Sequence, residues 1–262
     1  MDLGLRDKVA LIGGSSQGLG KAAAEELARE GAHVVLCARS ADKLRETADA
    51  LEEFGVDVLA IPTDLSDQQS VEALVEDALE RFGRVDVLVT NSGGPPAGPF
   101  ETHDVSAWRA AWHGTFESVL HLVRLLLPGM RERGWGRIVN VTSIAVKQPV
   151  DGLILSNALR AGVTGFARTL ANEVAPFGVT VNNVLPGYTA TKRLGVLAES
   201  IAQQRSTTTR AAWARWEEEI PMGRVGEPAE LAAMIAFLAS ERASYITGQS
   251  VAVDGGWVRA LM

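Results

Sequence analysis

A glycine-rich segment near the start of the chain, Gly13–Gly20, has the composition of a phosphate-binding loop. It follows an apolar run and precedes a helical pattern. Glycines let the backbone approach a pyrophosphate closely, and a helix N-terminus favours negative charge. This placement favours phosphate binding over a purely structural tight turn. We therefore predict a dinucleotide site contacted by Gly14, Ser16, Gln17, Gly18, Leu19 and Gly20.

The end of the second predicted strand distinguishes between the two nicotinamide dinucleotides. A carboxylate there would accept hydrogen bonds from the ribose 2′-hydroxyl of NAD(H), but this strand ends with Ala38, Arg39 and Ser40. The Arg39 guanidinium suits the 2′-phosphate of NADP(H), which we favour over NAD(H). The alternative is that Arg39 is only a solvated loop charge. A second basic residue just before Gly18 would strengthen the assignment to NADP(H), but that position holds the neutral Gln17.

Alternating apolar runs and helical patterns place these residues on a parallel sheet. The runs are apolar throughout, which is typical of strands covered by helices on both faces. Repeated βα units build a doubly wound α/β domain that binds ligands at the carboxyl ends of its strands. We predict one Rossmann-type domain over residues 1–262, with seven strands at 9–12, 33–38, 56–61, 85–89, 136–141, 179–184 and 250–253. The matching helices are predicted at 19–30, 41–54, 71–82, 105–130, 152–174 and 227–240.

Composition and charge exclude several classes of function. The 262 residues are 47% hydrophobic and carry a net charge of −7, which argues against nucleic acid as a partner. The single cysteine, Cys37, cannot form an internal disulfide. The start lacks a signal-peptide pattern, and no apolar run reaches the ~18 residues that span a bilayer. We expect a cytoplasmic protein with a small-molecule substrate and no nucleic-acid, membrane or metal partner.

The segment 188–221 interrupts the alternation of strands and helices. Leu194, Leu197 and Ile201 share one helical face, and Trp213, Trp216 and Ile220 share another. We interpret the segment as a helical lid over the ligand crevice, with a surface helical hairpin as the alternative. Its tryptophans favour apolar or aromatic substrate contacts, whereas its arginines, Arg193, Arg205 and Arg210, favour a carboxylate or phosphate. The alternative is that both sets are ordinary core and surface residues.

Further motifs resemble the short-chain dehydrogenase/reductase family along nearly the whole chain, in particular its 3-oxoacyl-carrier-protein reductase-like group. Gly14, Gly18 and Gly20 match the family's glycine motif, with Gly13 where a threonine is usual. The resemblance implies additional cofactor contacts after the third, fourth and sixth strands: Asp64, Leu65, Asn91, Ser92, Gly93, Pro186, Gly187, Thr189 and Thr191.

The resemblance also implies a catalytic relay of Asn, Ser, Tyr and Lys, from which this chain departs. By spacing, the four positions hold Thr115, Ser143, Ser156 and Arg160, so only the serine is kept. A serine hydroxyl is a far weaker acid than a tyrosine hydroxyl, whose pKa of ~10 a nearby cation can lower. Arg160 stays protonated at any working pH, although it can hold ribose hydroxyls or an anionic substrate group.

Two other residues are candidate proton donors. Tyr188 directly follows the Pro186–Gly187 motif, and Lys147 lies four residues beyond Ser143 in the loop after the fifth strand. Desolvation lowers the pKa of a lysine, which would let it act as an acid. The alternatives are an ordinary aromatic at the lid hinge and a solvated loop lysine.

Two classes of function fit these residues. The leading hypothesis is an NADP(H)-dependent oxidoreductase acting on a carbonyl or secondary alcohol through a remodelled proton relay. The rival is a catalytically silent family member that binds dinucleotide as a sensor or partner subunit. A third interpretation keeps the enzyme but assigns it reduction of a polarised C=C bond.

The family resemblance implies assembly through the last helix and strand. The apolar residues Leu231, Met234, Ile235 and Leu238 form a stripe on that helix, and the tail 257–262 adds further apolar side chains. We predict a homotetramer with closed two-fold interfaces.

Overall fold

The computed structural model describes residues 1–261. Its sheet has seven strands in the order β3-β2-β1-β4-β5-β6-β7, and every neighbouring pair is parallel. The doubly wound fold predicted from the apolar runs is therefore confirmed. The strands are β1 Val9–Gly13, β2 His33–Ala38, β3 Val58–Pro62, β4 Val87–Thr90, β5 Gly136–Val141, β6 Val179–Pro186 and β7 Ser250–Val253.

Helices cover both faces of the sheet. The helices are α1 Gly18–Arg29, α2 Ala41–Leu51, α3 Gln68–Phe82, α4 Val105–Trp112, α5 Ser118–Glu132, α6 Ile154–Val174, α7 Lys192–Gln204, α8 Thr209–Glu219 and α9 Pro228–Ala239. One core cluster packs α1, α2 and α9 on the first face, and a second packs α3, α5 and α6 on the other. Successive strand residues alternate between the two clusters, since Leu11 faces one and Ile12 the other.

The order of the strands determines where a ligand binds. Strands β1 to β3 wind in one direction from the centre of the sheet and β4 to β7 wind in the other. A crevice forms where the direction reverses, at the carboxyl ends of β1 and β4. The glycine-rich loop leaves β1 at this point.

The helix predicted over 105–130 is observed as an unbroken helical segment, but it contains a feature that the prediction lacks. Helices α4 and α5 are joined by a π-helical turn, His113–Glu117, in which a backbone carbonyl accepts from the amide five residues further along the chain. Thr115 lies buried within it, and π turns of this kind occur frequently at functional sites.

The segment 188–221 forms two helices, α7 and α8, with a small core of their own. Leu194 and Trp216 are buried in that core, and Leu197, Ile201 and Trp213 pack against it. Both tryptophans therefore stabilise the packing of the two helices. Whether the pair closes over a ligand stays a prediction.

The predicted use of the α9 stripe in subunit contact is wrong. Leu231, Ile235 and Leu238 are fully buried in the core of this chain, where α9 packs against α1, and Met234 packs against the same cluster. The three fully buried side chains are therefore unavailable for contact with another subunit, whereas Met234 is half-buried. Met262, at the end of the predicted apolar tail, lies outside the described residues.

The membrane prediction was tested over residues 1–261. None of the helices there is long and apolar enough to span a bilayer.

Candidate functional site

The glycine-rich loop has the backbone that a phosphate cradle requires. Gly14 and Gly18 have φ of +60° and +59°, in the left-handed region that favours glycine. A Cβ on Gly20 would collide with the carbonyl oxygen of Gly14, so only glycine lets α1 begin this close to the loop. These constraints leave room above the loop for a ligand's phosphates.

The N-terminus of α1 faces this cradle without a side-chain cap. Gln17 occupies the N-cap position and makes no capping hydrogen bond, so the amides of the first turn have no side-chain acceptor there. Uncapped amides and the helix dipole together form an anion site. Ser16 is half-buried and Gln17 is exposed beside it. These features fit a pyrophosphate.

Ser15 serves the loop's structure instead of a ligand. It is fully buried, and its Oγ accepts from the amide of Cys37 at 2.9 Å, while its own amide donates to the Cys37 carbonyl at 3.2 Å. The loop is thereby fixed to the end of β2. Burial raises the pKa of the Cys37 thiol to about 12, so this cysteine stays protonated.

Asn91 joins the loops that follow β1 and β4. Its Nδ2 donates to the carbonyl oxygen of Gly13 at 3.0 Å. A Cβ on Gly13 would lie 2.5 Å from the Asn91 carbonyl oxygen, which explains why residue 13 is glycine here. Ser92 and Gly93 continue from Asn91 along the crevice, half-buried and exposed respectively.

Arg39 and Asp64 lie at the ends of neighbouring strands β2 and β3. Arg39 is exposed. The pKa of Asp64 is lowered mainly by the hydroxyl and amide of Ser66, which donate to its Oδ1 at 2.7 and 3.0 Å, and less by the positive charge of Arg39. Leu65 is half-buried and extends toward Gly13. A cation therefore sits where the dinucleotide's adenosine ribose is expected.

The chain after β6 returns to the phosphate loop. Pro186 ends β6, and a Cβ on Gly187 would lie 2.7 Å from Cα of Asp254, so glycine is required there. Thr189 is buried and donates to the Gly187 carbonyl oxygen. Thr191 caps α7, and its methyl group lies 3.5 Å from where a Gly18 Cβ would be. Thr191 thus lies beside the cradle, as its motif predicts.

Arg160 folds back onto the end of β5. Its Nη1 donates to the carbonyl oxygens of Val141 and Thr142, both at 2.8 Å. Burial lowers the pKa of Arg160 to about 10, with a smaller contribution from the positive charge of Arg193. The guanidinium is still protonated at neutral pH. It therefore anchors the two residues that precede Ser143.

Ser143 leaves β5 at the crevice. Its Oγ accepts from the amide of Ala145 at 3.1 Å, which leaves its hydroxyl hydrogen available to donate. Ser156 is buried on α6 one turn before Arg160, and its hydroxyl has no hydrogen-bond partner in residues 1–261. Neither serine has a base beside it there that would activate it.

A small cavity of about 10 Å³, on the scale of one water molecule, separates Arg160 from Thr115. Its polar lining comes from Thr90, Asn91, Ser92, Thr115, Ser118, Thr142 and Arg160. The buried Oγ1 of Thr142 has no hydrogen-bond partner in residues 1–261. The cavity therefore combines room for one water with a polar group that lacks a partner.

The two candidate proton donors lie in different surroundings. The Tyr188 ring stacks on Trp216, with centroids 5.0 Å apart, and packs edge-on against Trp257. Burial raises the pKa of Tyr188, and the negative charge of Glu219 adds to the effect. Lys147 is half-buried at the end of the turn Ile144–Val146 and forms no ion pair in residues 1–261.

Arg193, one of three lid arginines that the sequence assigns to an anionic substrate group, bonds the loop after β4. Its guanidinium donates to the carbonyl oxygens of Gly94 at 2.7 Å and Pro95 at 3.1 Å. It bridges the first turn of α7 to the loop after β4. The one signal in the sequence is Gly94, where any Cβ would collide with that guanidinium.

The chain matches known proteins over nearly its full length. The family model described as enoyl-(acyl carrier protein) reductase matches residues 14–258. A 3-oxoacyl-[acyl-carrier-protein] reductase of Vibrio cholerae is 35% identical over 254 residues, which cover 97% of this chain and 98% of that protein.

Two solved structures are similar throughout. L-sorbose reductase from Gluconobacter frateurii, complexed with NADPH and L-sorbose, has a TM-score of 0.95, 37% identity and full coverage of both chains. A variant of actinorhodin polyketide ketoreductase with NADPH has a TM-score of 0.93 and 35% identity, covering 97% of this chain and 98% of its own. With its motifs on this fold, the chain belongs to the short-chain dehydrogenase/reductase family, in the 3-oxoacyl-carrier-protein reductase-like group.

Proposed function

We propose that this protein is an NADPH-dependent reductase of a carbonyl compound and, in the reverse direction, a dehydrogenase of the secondary alcohol. One observation carries the proposal: Ser143, at the end of β5, shares a sheet edge with the uncapped phosphate cradle at β1 and β4. A bound reduced dinucleotide would supply the hydride at this edge. The relatives that carry NADPH in their structures support the same chemistry.

Cofactor binding is assigned to residues that the chain already holds in place. The α1 amides with Gly14 and Gly18 would hold the pyrophosphate, and Arg39 would hold the 2′-phosphate. Asp64 and Leu65 would lie beside the adenine. Asn91, Gly187 and Thr191 would lie beside the remaining part of the dinucleotide. Arg39 is the basis for NADP(H) over NAD(H).

Within the relay, we assign Ser143 to the substrate carbonyl. Its hydroxyl can donate to that oxygen while its Oγ keeps the Ala145 amide. Arg160 would position Ser143 by fixing the two preceding carbonyls. Tyr188 is disfavoured as the acid, because burial and the Glu219 charge raise its pKa and its ring is stacked on Trp216. Lys147, four residues from Ser143 and without an ion pair in the described chain, is the better candidate for the proton.

The second candidate function is dinucleotide binding without turnover. It is favoured by Ser156, whose hydroxyl is a far weaker acid than the phenol that the family has at this position. In that case the pair of helices α7 and α8 would respond to cofactor instead of enclosing a substrate.

One experiment separates the two functions. NADPH is titrated by its fluorescence, and its oxidation is then followed with a panel of ketones, aldehydes and, in reverse, alcohols. The reductase is supported if the parent protein turns over a substrate and Ser143→Ala lowers that turnover at least about tenfold while NADPH affinity is unchanged. Tight NADPH binding with no turnover across the panel supports the silent binder instead. Absence of dinucleotide binding contradicts both.

A further inference from the structure

We propose that the crevice recognises an anionic group, a carboxylate or phosphate, on the substrate, and that Arg193 is the residue that selects it. This inference rests on the proposed reductase function, because the ligand is taken to be the molecule that meets Ser143. It adds the chemical class of the substrate, which the family relationship leaves open.

The location of Arg193 is the first step. Strand β5 lies between β4 and β6 in the sheet. Arg193 follows β6 on the chain, yet its guanidinium donates to Gly94 and Pro95, which follow β4. The contact therefore spans the carboxyl edge of the sheet above the end of β5, where Ser143 leaves the strand.

The second step is the donor capacity of that guanidinium. Arginine carries five N–H groups, and the two carbonyl contacts use one each from Nη1 and Nη2. Three N–H groups remain for a ligand. The residue is exposed overall, while partial burial of the guanidinium lowers its pKa, and the three remaining N–H groups donate to no acceptor in residues 1–261. A planar fork of this kind suits bidentate recognition of a carboxylate or phosphate.

The third step is the charge around it. Arg160 places a second guanidinium at the end of β5, close enough for the Arg193 charge to lower its pKa. Within residues 1–261, neither arginine forms an ion pair with a carboxylate. The crevice thus holds two guanidinium groups whose positive charge no carboxylate neutralises in residues 1–261.

The dinucleotide's pyrophosphate is the competing anion for Arg193. The cradle for that group is built at Gly14, Gly18 and the α1 N-terminus, and Thr191 is the lid residue that lies beside it. Arg193 instead reaches the loop beyond Gly93, and its charge acts on Arg160, the anchor of the Ser143 strand. The geometry therefore directs its charge toward the substrate.

The test compares matched substrates in the intact protein. NADPH oxidation is measured with a series of oxo carboxylates and their methyl esters, and with dihydroxyacetone phosphate against dihydroxyacetone. The variants are Arg193→Met, Arg193→Lys and, as a charge-matched control away from the crevice, Arg45→Met, which removes an exposed arginine on α2. Binding of the same acids and phosphates to the NADP⁺ complex is measured by calorimetry in parallel.

The expected result is at least about a tenfold higher kcat/KM for the anionic member of a pair, the size of one charge-assisted hydrogen bond. Arg193→Met should erase that preference, Arg193→Lys should keep part of it, and Arg45→Met should leave it intact. NADPH affinity should change less than about twofold in all three. The carboxylate and phosphate pairs show which anion the site takes.

Several outcomes overturn the inference. Equal kcat/KM for the acid and its ester in the parent protein would show that the crevice does not select an anion. A decrease in kcat/KM that is the same for acid and ester in Arg193→Met would show that Arg193 does not select it. Weakened NADPH binding in Arg193→Met with unchanged substrate preference would assign Arg193 to the cofactor. No calorimetric binding of any acid or phosphate to the NADP⁺ complex would also overturn it. Arg193-dependent binding without any ketone turnover would instead retain the anion site and reject the reductase.

Discussion

Thr90 donates from Oγ1 to Oδ1 of Asn140 at 2.7 Å, which joins β4 to β5 just before the loop that carries Asn91. The same chain of side-chain bonds continues from Asn140 to Asn183 at 3.1 Å and from Asn183 to Ser250 at 3.0 Å. One polar residue from each of β4 to β7 is thus bonded to its neighbour inside the sheet. Buried networks of this kind stabilise a fold only when every member is satisfied.

We predict that Asn140→Leu destabilises the protein strongly. The change leaves the Thr90 hydroxyl and the side-chain Oδ1 of Asn183 buried without partners. Each unsatisfied group lowers the free energy of unfolding by about 1–3 kcal/mol. Urea unfolding should show a lowered midpoint for this variant. Asn172→Leu, on the exposed side of α6, is the matched control and should stay within about 0.5 kcal/mol of the parent. Equal midpoints for the two variants would show that the bonded chain adds nothing to stability.

We predict that NADPH binds at least about tenfold tighter than NADH, a difference of roughly 1.4 kcal/mol, because we assign Arg39 to the 2′-phosphate. Arg39→Ala should remove most of this preference while NADH affinity stays nearly constant. Arg45→Ala, an exposed arginine on α2, controls for the loss of one positive charge. Fluorescence titration of both cofactors measures the effect. Equal affinities in the parent protein would contradict the assignment of Arg39.

The fold could be predicted from the sequence because buried parallel strands are continuous apolar runs. Observed strand bounds differ from the predicted ones by no more than two residues, as for Val58 in place of Val56 at the start of β3. The glycine motif likewise located the cradle, since Gly14 and Gly18 need conformations that other residues rarely adopt.

Other features leave no comparable trace in residue types. The π turn around Thr115 lies inside an unbroken helical segment, for which periodicity predicts only an α-helix. The apolar residues of α9 are equally consistent with a core and with an interface, and packing against α1 decides between the two. Arg160 and Arg193 both donate to backbone carbonyl oxygens. Every residue has such an acceptor, so residue types do not indicate these contacts.

We predict a homotetramer, although the interface cannot use the buried stripe of α9. Light scattering in solution should give a mass four times the 27.9 kDa of one chain. Substituting Leu231 should unfold the chain instead of only dissociating it, because this side chain is fully buried in the monomer core. A mass of 27.9 kDa for the folded parent would reject the tetramer.

We predict that Lys147→Met lowers turnover more than Tyr188→Phe does. Lys147 follows the turn that begins at Ser143, whereas the hydroxyl of Tyr188 belongs to a ring packed between Trp216 and Trp257. General acid catalysis is worth about 10²- to 10⁴-fold, so loss of the donor should be evident in kcat at saturating NADPH. Full activity in both variants would leave Ser143 or a bound water as the source of the proton.

The last prediction restores the family's acid. Ser156→Tyr combined with Arg160→Lys places a phenol and its cation one helical turn apart on α6, facing the strand that ends at Ser143. We expect faster NADPH-dependent reduction of simple ketones and little change in NADPH affinity. The gain should fall below the full range of about 10²- to 10⁴-fold for general acid catalysis, because Thr115 still lacks the amide of the family's asparagine.

The restored pair should also be less stable than the parent. Ser156 is buried, so a tyrosine there overpacks its surroundings at about 1–3 kcal/mol, and the Arg160→Lys change removes a guanidinium that held two carbonyls at the end of β5. Ser156→Phe with Arg160→Lys is the matched control, since it has the same bulk without the hydroxyl. Faster turnover in the tyrosine pair alone assigns the gain to the phenol. An equal rate in both pairs, or none in either with NADPH bound, would indicate that the parent protein does not depend on an acid at this position.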